Sequence, residues 1–112
     1  MNFSIKTSEQ KNIAVLELQG EINMYASPDF RDKLLLVCND LVQEVIVDFS
    51  HVTFMDSSGV ATLVEGLKWS KRSEKSFVLK NVGASIKDSL ALTKLDTVFK
   101  ILPNAGDLEY FH

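Results

Sequence analysis

Cysteine and histidine, which supply most zinc and redox sites, are scarce in this chain. Its 112 residues include one cysteine, Cys38, and two histidines, His51 and His112. A single thiol excludes an internal disulfide and a Cys-x-x-Cys site, and so few soft ligands argue against a zinc site. We therefore expect no metal and no cofactor, and we interpret Cys38 as a small residue in or near the core.

Glycine is also scarce, and the five glycines do not form a phosphate-binding loop. Neither Gly-x-Gly-x-x-Gly nor Gly-x-x-x-x-Gly-Lys occurs. The Gly-x-Ser-x-Gly turn of serine hydrolases is missing too, because Met55 and Asp56 stand two residues before Ser57 and Ser58. His51 is interpreted as an ordinary histidine rather than as a catalytic base. These absences argue against a serine hydrolase and against an enzyme with a glycine-rich phosphate loop.

Long apolar runs and a strong excess of one charge are absent as well. No stretch is apolar enough to span a bilayer, and residues 1–11 lack the apolar segment of a signal peptide. The net charge is −3, with 46% hydrophobic and 24% charged residues. That balance is typical of a soluble globular protein and argues against general nucleic-acid binding. We expect one cytoplasmic domain over residues 1–112, present as a monomer or weak dimer.

The pattern of apolar residues predicts five strands. Residues 3–7 and 13–18 alternate polar and apolar side chains, which indicates a hairpin. Later strands are predicted over residues 45–49, which read as buried on both faces, 77–79 and 98–101. Helical patterns separate these three segments. The prediction is therefore an α/β fold with a mixed, largely parallel sheet after an N-terminal hairpin, in the order ββαβαβαβα.

Four helices are predicted between and after these strands. The first has Ser27 as its N-cap and Pro28 as its first helical residue. Its inner face comprises Phe30, Leu34, Val37 and Leu41. Ser85 and Asp88 are spaced like a capping box at the start of the third helix. A weak terminal helix is predicted near residues 107–111.

The junction between the third strand and the second helix carries the chemistry of this sequence. It reads Asp56-Ser57-Ser58-Gly59, and helical spacing begins at Val60. One polar side chain is enough to cap a helix, so the second hydroxyl is surplus. A helix N-terminus favours phosphate, which adds about −1.5 to −2 charges to a serine. On these residues alone the turn is either a simple cap or a phosphoacceptor.

The second helix suggests how far a functional surface extends. Its inner face comprises Val60, Leu63, Val64 and Leu67. At about 100° per residue, the opposite stripe comprises Ser58, Thr62, Glu65 and Trp69. Exposed tryptophan is enriched among interface anchors, so the stripe predicts that Thr62 and Trp69 face solvent and contact a partner. The alternative, that Trp69 packs under a neighbouring loop or the C-terminal tail, stays open.

Several segments together resemble the STAS domain of bacterial anti-sigma factor antagonists. They are Gly20-Glu21-Ile22, Val45–Phe49, Met55–Gly59 and Leu92–Asp96. The match runs in the same order and spacing from Phe3 to about Leu108, and the Asp-Ser-Ser-Gly segment is its most specific part. The resemblance implies a regulator and not an enzyme. Such a regulator binds an anti-sigma factor, itself a serine/threonine kinase, and so releases a sigma factor.

The resemblance also implies which residues carry this switch. Ser58 is the phosphoacceptor; its phosphorylation ends binding, and a PP2C-type phosphatase reverses it. The surface that binds the partner then comprises Asn23, Met24, Tyr25, Asp56, Ser57, Ser58 and Gly59. Asn23 departs from the family pattern, because many members carry Asp at this position.

Two alternatives remain. The same module serves in signalling or secretion switches whose kinase partner touches no sigma factor. A receiver domain is the other alternative, with Asp48 near the end of a buried strand as its phosphoacceptor. A receiver needs an acidic pair after its first strand to bind Mg²⁺, and the only acid there is Glu9.

Overall fold

The computed structural model describes residues 3–102, which include a five-stranded sheet whose strands lie side by side in chain order. The strands are β1 (Phe3–Gln10), β2 (Ile13–Ile22), β3 (Glu44–Met55), β4 (Ser76–Lys80) and β5 (Lys100–Ile101). The β1–β2 pair is antiparallel, and the pairs β2–β3, β3–β4 and β4–β5 are parallel. The predicted mixed sheet with an N-terminal hairpin is confirmed.

Three helices lie within residues 3–102. They are α1 (Ser27–Val37), α2 (Ser57–Ser73) and α3 (Ala84–Leu92). The fourth helix predicted near residues 107–111 lies outside the described residues. In this part of the chain, none of the helices combines the length and apolar character needed to cross a membrane.

A row of apolar side chains across the parallel strands forms the centre of the core. Leu16, Val47 and Leu79 are Cα partners on adjacent strands, and all three are fully buried. Phe30 from α1 and Leu63 from α2 join the same cluster. Full burial of such a side chain stabilises the fold by about 1.5–3 kcal/mol. This row fixes the relative position of β2 and β3, whose ends carry the site.

Strand β3 is longer and less symmetrically buried than the sequence predicts. Val45, Val47 and Phe49 are buried, whereas Ile46 and Asp48 are half-buried, so only one face is fully covered. The prediction of burial on both faces is therefore wrong. The strand also continues to Met55 instead of ending at residue 49, because the long strand β2 offers it pairing partners as far as Ile22.

The register between β2 and β3 shifts twice along this extension. The shifts lie between Glu17 and Gln19 and between Gly20 and Glu21. Gly20 has a φ of 98°, a left-handed conformation that only glycine adopts without steric cost. Gly20 therefore lets β2 accommodate the register shift and still pair Ile22 with Met55.

The first turn of α1 differs from its prediction by one residue. Ala26 is the N-cap, and Ser27 is already helical. The helix starts there because the backbone carbonyl of Asn23 accepts the N–H groups of both Ala26 and Ser27. The Ser27 side chain is thus released from capping.

The inner face of α1 is confirmed in part. Its buried apolar residues are Phe30, Leu34 and Val37. Leu41 lies beyond the helix and is 81% exposed, so its predicted place in the core is wrong. Cys38 is half-buried against the core, and burial raises the pKa of its thiol to about 11. It therefore remains a neutral thiol, as expected for a packing residue.

The start of α3 also differs from its prediction. Its N-cap is Gly83, which makes no side-chain capping bond, so the predicted capping box is wrong. The Ser85 hydroxyl lies within the helix and donates to the carbonyl of Thr53. Strand β5 is shorter than the predicted 98–101, because the N–H of Val98 is used in a turn that closes on Leu95.

Candidate functional site

The carboxyl ends of β2 and β3 lie side by side, and each leads into a helix. Ile22 and Met55 are Cα partners in the parallel ladder. One step further, the N–H of Asp56 donates to the carbonyl of Ile22 at 3.0 Å. The loop that precedes α1 and the turn that precedes α2 therefore meet at one edge of the sheet, which is where open α/β sheets usually place their sites.

Asp56 is the N-cap of α2. Its Oδ1 accepts the backbone N–H of Ser58 at 2.9 Å and the Ser58 hydroxyl at 2.5 Å. Its carbonyl accepts the N–H groups of Gly59 and Val60. The carboxylate thus satisfies the cap, and neither serine hydroxyl is needed for it. Ser57 is exposed, and Ser58 is half-buried.

Gly59 fixes how closely α2 approaches the two strand ends. It is buried, and a Cβ at this position would lie 2.6 Å from Met55 Cγ and 2.8 Å from Ile22 Cγ2. Real Cβ atoms do not come that close to a neighbour. Gly59 therefore faces inward, toward the core, and its place in the motif has a packing reason.

Asn23 shapes the neighbouring loop. Its Oδ1 accepts the N–H groups of Tyr25 at 3.0 Å and Ala26 at 3.1 Å. An Asx turn of this kind holds a short loop in one conformation. Met24 and Tyr25 consequently project outward, with exposed fractions of 65% and 72%. These two side chains form an apolar surface beside the turn at Asp56.

Thr62 and Trp69 do not face solvent, so the predicted outward stripe is wrong. Their exposed fractions are 5% and 6%, and Trp69 belongs to the core cluster. Helix α1 covers this side of α2, because Ser58 contacts Ser27 and Glu65 pairs with Arg31 at 2.8 Å. The prediction that Thr62 and Trp69 contact a partner was based on their exposure, and both side chains are buried.

Ser27 is the one residue of this site that the sequence-based reasoning missed. Its hydroxyl oxygen lies 2.7 Å from Ser58 Oγ and 2.9 Å from the carbonyl oxygen of Asn23. The Ser27-Pro28 pair was assigned to helix capping, which concealed the contact. The available signal was the helical period, because Ser27 precedes Phe30 by three residues and Leu34 by seven and so lies on the buried face of α1.

The hydrogen bonds of Asp48 are those of a residue that stabilises the fold and not those of a receiver's phosphoacceptor. It lies within β3, and its Oδ1 accepts from the Ser50 N–H at 2.9 Å and from Asn81 Nδ2 at 3.0 Å. Burial by itself raises the pKa of Asp48, but these hydrogen bonds and the charge of Lys80 outweigh it and leave the pKa lowered. Within residues 3–102 no cluster of acids, histidines or cysteines suited to a metal ion occurs.

Comparison with known proteins agrees with this architecture. The STAS domain family model matches residues 4–108. An anti-sigma-B factor antagonist of Staphylococcus aureus is 25% identical over 101 residues, which cover 90% of this chain and 94% of that protein.

Two solved structures share the fold over almost the whole chain. An anti-sigma factor antagonist from Mycobacterium paratuberculosis has a TM-score of 0.80 at 22% identity and covers 97% of this chain and 92% of its own. The Bacillus cell fate determinant SpoIIAA in its phosphorylated form has a TM-score of 0.71 at 18% identity, covering 97% and 100%. With its family match spanning nearly all residues and its sheet and helices in the same arrangement, this chain belongs to the STAS domain family.

Proposed function

We propose that this protein is an anti-sigma factor antagonist, a binding regulator rather than an enzyme. In its unphosphorylated form it binds an anti-sigma factor in the cytoplasm and so frees a sigma factor. The observation that carries the proposal is the position of the Ser58 hydroxyl, at the N-terminus of α2 and next to an exposed apolar loop. The similarity to the anti-sigma-B factor antagonist of Staphylococcus aureus supports the same function.

The proposed docking surface consists of Met24, Tyr25, Ser57 and Ser58. Met24 and Tyr25 provide apolar contact area, with exposed fractions of 65% and 72%. Tyrosine and methionine are enriched in protein interfaces, and tyrosine also offers a hydroxyl to the partner. Asp56 and Asn23, both half-buried, hold the two loops of this surface in shape through hydrogen bonds to their backbones.

Phosphorylation of Ser58 is the proposed off-switch. A phosphoserine adds about −1.5 to −2 charges, which the N-terminus of α2 stabilises and the nearby carboxylate of Asp56 opposes. The fold is therefore expected to survive, while the docking surface becomes strongly negative. Like charges facing each other across an interface cost several kcal/mol, and about 1.4 kcal/mol corresponds to a tenfold loss of affinity.

The proposed partners follow from this switch. A serine/threonine kinase that is itself the anti-sigma factor phosphorylates Ser58, and a PP2C-type phosphatase removes the phosphate. The alternative is a partner switch that uses the same docking surface but whose kinase controls no sigma factor. An aspartyl-phosphate receiver is not proposed, because Asp48 is engaged by Asn81 and Ser50 and the chain belongs to another family.

The test is phosphorylation by the serine kinases of the source organism with ATP, followed by intact-mass spectrometry and peptide mapping. We expect one phosphate on Ser58, its loss in Ser58→Ala, and its retention in Ser57→Ala, which is the matched control one residue away. Protein carrying phosphoserine at position 58 should bind the kinase at least about a hundredfold more weakly. Phosphate on another residue, or unchanged affinity, would contradict the proposal.

A further inference from the structure

Two hydroxyls from different helices meet where the docking surface joins the protein interior. Ser27 begins α1 and Ser58 lies in the first turn of α2, and their Oγ atoms are 2.7 Å apart. Ser27 is only 7% exposed, so its side chain is aimed at this contact rather than at solvent. Ser58 Oγ is thus enclosed by Ser27 on one side and by Asp56 Oδ1, at 2.5 Å, on the other.

The protons of this cluster can be assigned by counting donors. Each hydroxyl has one proton, and an ionised carboxylate only accepts, so the Ser58 proton points to Asp56. The short contact between the two hydroxyl oxygens then requires the proton of Ser27. The Ser27 hydroxyl also donates to the carbonyl oxygen of Asn23, at 2.9 Å, so its one proton is shared between that carbonyl and the nearer Ser58 Oγ. Whenever Ser58 donates to Asp56, a hydrogen bond between the two hydroxyls is made with the Ser27 proton.

We infer that Ser27 is a positioning residue that holds Ser58 in an inward rotamer and slows its phosphorylation. The inference rests on the proposed function, in which Ser58 is the phosphoacceptor. Serine has three staggered rotamers, and two hydrogen bonds favour the one that points between Ser27 and Asp56. These hydrogen bonds stabilise the inward rotamer of unphosphorylated Ser58, and they must break before the kinase can phosphorylate the side chain.

The requirement for release follows from the chemistry of phosphoryl transfer. A bond forms between Ser58 Oγ and the γ-phosphorus of ATP while the bond from that phosphorus to the β–γ bridging oxygen breaks. ADP leaves, and the hydroxyl proton passes to a base of the kinase. The attacking and leaving oxygens lie in line in this step, so Oγ must point toward the incoming γ-phosphorus. In the inward rotamer Oγ points between Ser27 and Asp56, one of its two lone pairs faces the Ser27 hydroxyl, and the phosphoryl group would meet the carboxylate of Asp56.

The first experiment compares single-turnover phosphorylation of Ser58 in the wild-type protein and in Ser27→Ala. We expect the variant to react about fivefold faster, the factor that corresponds to one ordinary hydrogen bond. Ser70→Ala is the matched control: Ser70 is also buried, at 5% exposure, and its hydroxyl donates to the Leu67 carbonyl in the last turns of α2. It should react at the wild-type rate. Equal or slower phosphorylation of Ser27→Ala would overturn the inference.

The second experiment needs no kinase and separates this inference from the proposed function. NMR scalar couplings between Hα and Hβ of Ser58 report its side-chain rotamer. We expect couplings of a single rotamer in the wild type and in Ser70→Ala, and averaged couplings in Ser27→Ala. A single rotamer in all three proteins would overturn the restraint by Ser27, whatever its effect on rate. Averaging in Ser27→Ala, together with no phosphate on Ser58 from any kinase, would leave the restraint standing and refute the proposed switch.

Discussion

Two side-chain oxygens, one from an amide and one from a carboxylate, shape the ends of β2 and β3. Asn23 Oδ1 accepts the N–H groups of Tyr25 and Ala26, and Asp56 Oδ1 accepts the N–H of Ser58. Each organises the first turn of the helix that follows. Because these two residues do the capping, the hydroxyls of Ser27 and Ser58 are left to contact each other.

Gly59 allows α2 to pack closely against the ends of β2 and β3, and its replacement should lower the free energy of unfolding. In Gly59→Ala the new methyl group would meet Met55 and Ile22 at less than 3 Å. Met55 is flexible, but the branched side chain of Ile22 is not, so overpacking should cost about 1–3 kcal/mol of unfolding free energy. Urea unfolding measures this cost.

The matched control for that substitution is Gly83→Ala. A Cβ at Gly83 would meet nothing within 4 Å, and its φ of −80° suits any residue. We expect a loss of about 1 kcal/mol or less, smaller than that of Gly59→Ala, because the only cost is that alanine is a poorer N-cap than glycine. Equal losses of unfolding free energy in Gly59→Ala and Gly83→Ala would show that the close packing at Gly59 does not contribute to stability.

Helix α2 shows where sequence periodicity succeeds and where it ends. The predicted inner residues Val60 and Leu63 are buried, because a helix that packs on a sheet hides one apolar face. Thr62 and Trp69 are buried as well, since α1 covers a second side of the helix through the Ser27–Ser58 and Arg31–Glu65 contacts. A helical wheel describes one helix and carries no information about its neighbour.

The strands show a related limit. Alternation predicted β2 over residues 13–18 and a nearly continuous apolar run predicted β3 over residues 45–49, whereas pairing extends both, to Ile22 and to Met55. Polar residues such as His51, the partner of Gln19, enter β3 because the backbone of β3 finds partners in β2 and not because of their side chains. The order of elements was predictable from apolar periods, but the register that joins the two halves of the site was not.

The burial of Trp69 reverses the expected effect of its replacement. A tryptophan in the core cluster leaves a large cavity when truncated, so Trp69→Ala should lose about 3–5 kcal/mol of unfolding free energy. If Trp69 instead faced solvent and contacted a partner, Trp69→Ala would leave the melting temperature unchanged and weaken partner binding. A thermal melt distinguishes the two, and a melting temperature equal to that of the wild type would contradict the packing described above.

At the scale of the whole molecule, the hydrogen bond between Asp48 and Asn81 links β3 to the end of β4. Although burial raises the pKa of Asp48, hydrogen bonds from Asn81 and Ser50 and the charge of Lys80 bring the folded-state value below 3.8. The folded protein therefore favours the carboxylate more than the unfolded chain does. Its contribution to stability is present above the unfolded pKa and is lost as pH falls through the folded pKa.

Asp48→Asn isolates this contribution, because asparagine keeps the shape of the side chain without its charge. Urea unfolding from neutral pH down to below pH 3.8 should show the wild type more stable than the variant at neutral pH. The difference should narrow toward the acid end, since the wild-type carboxyl group becomes protonated and its charge-assisted hydrogen bonds weaken. Other acids titrate alike in both proteins and cancel in the comparison. A difference that stays constant over this range, or that widens toward acid, would show that the folded state does not favour the Asp48 carboxylate.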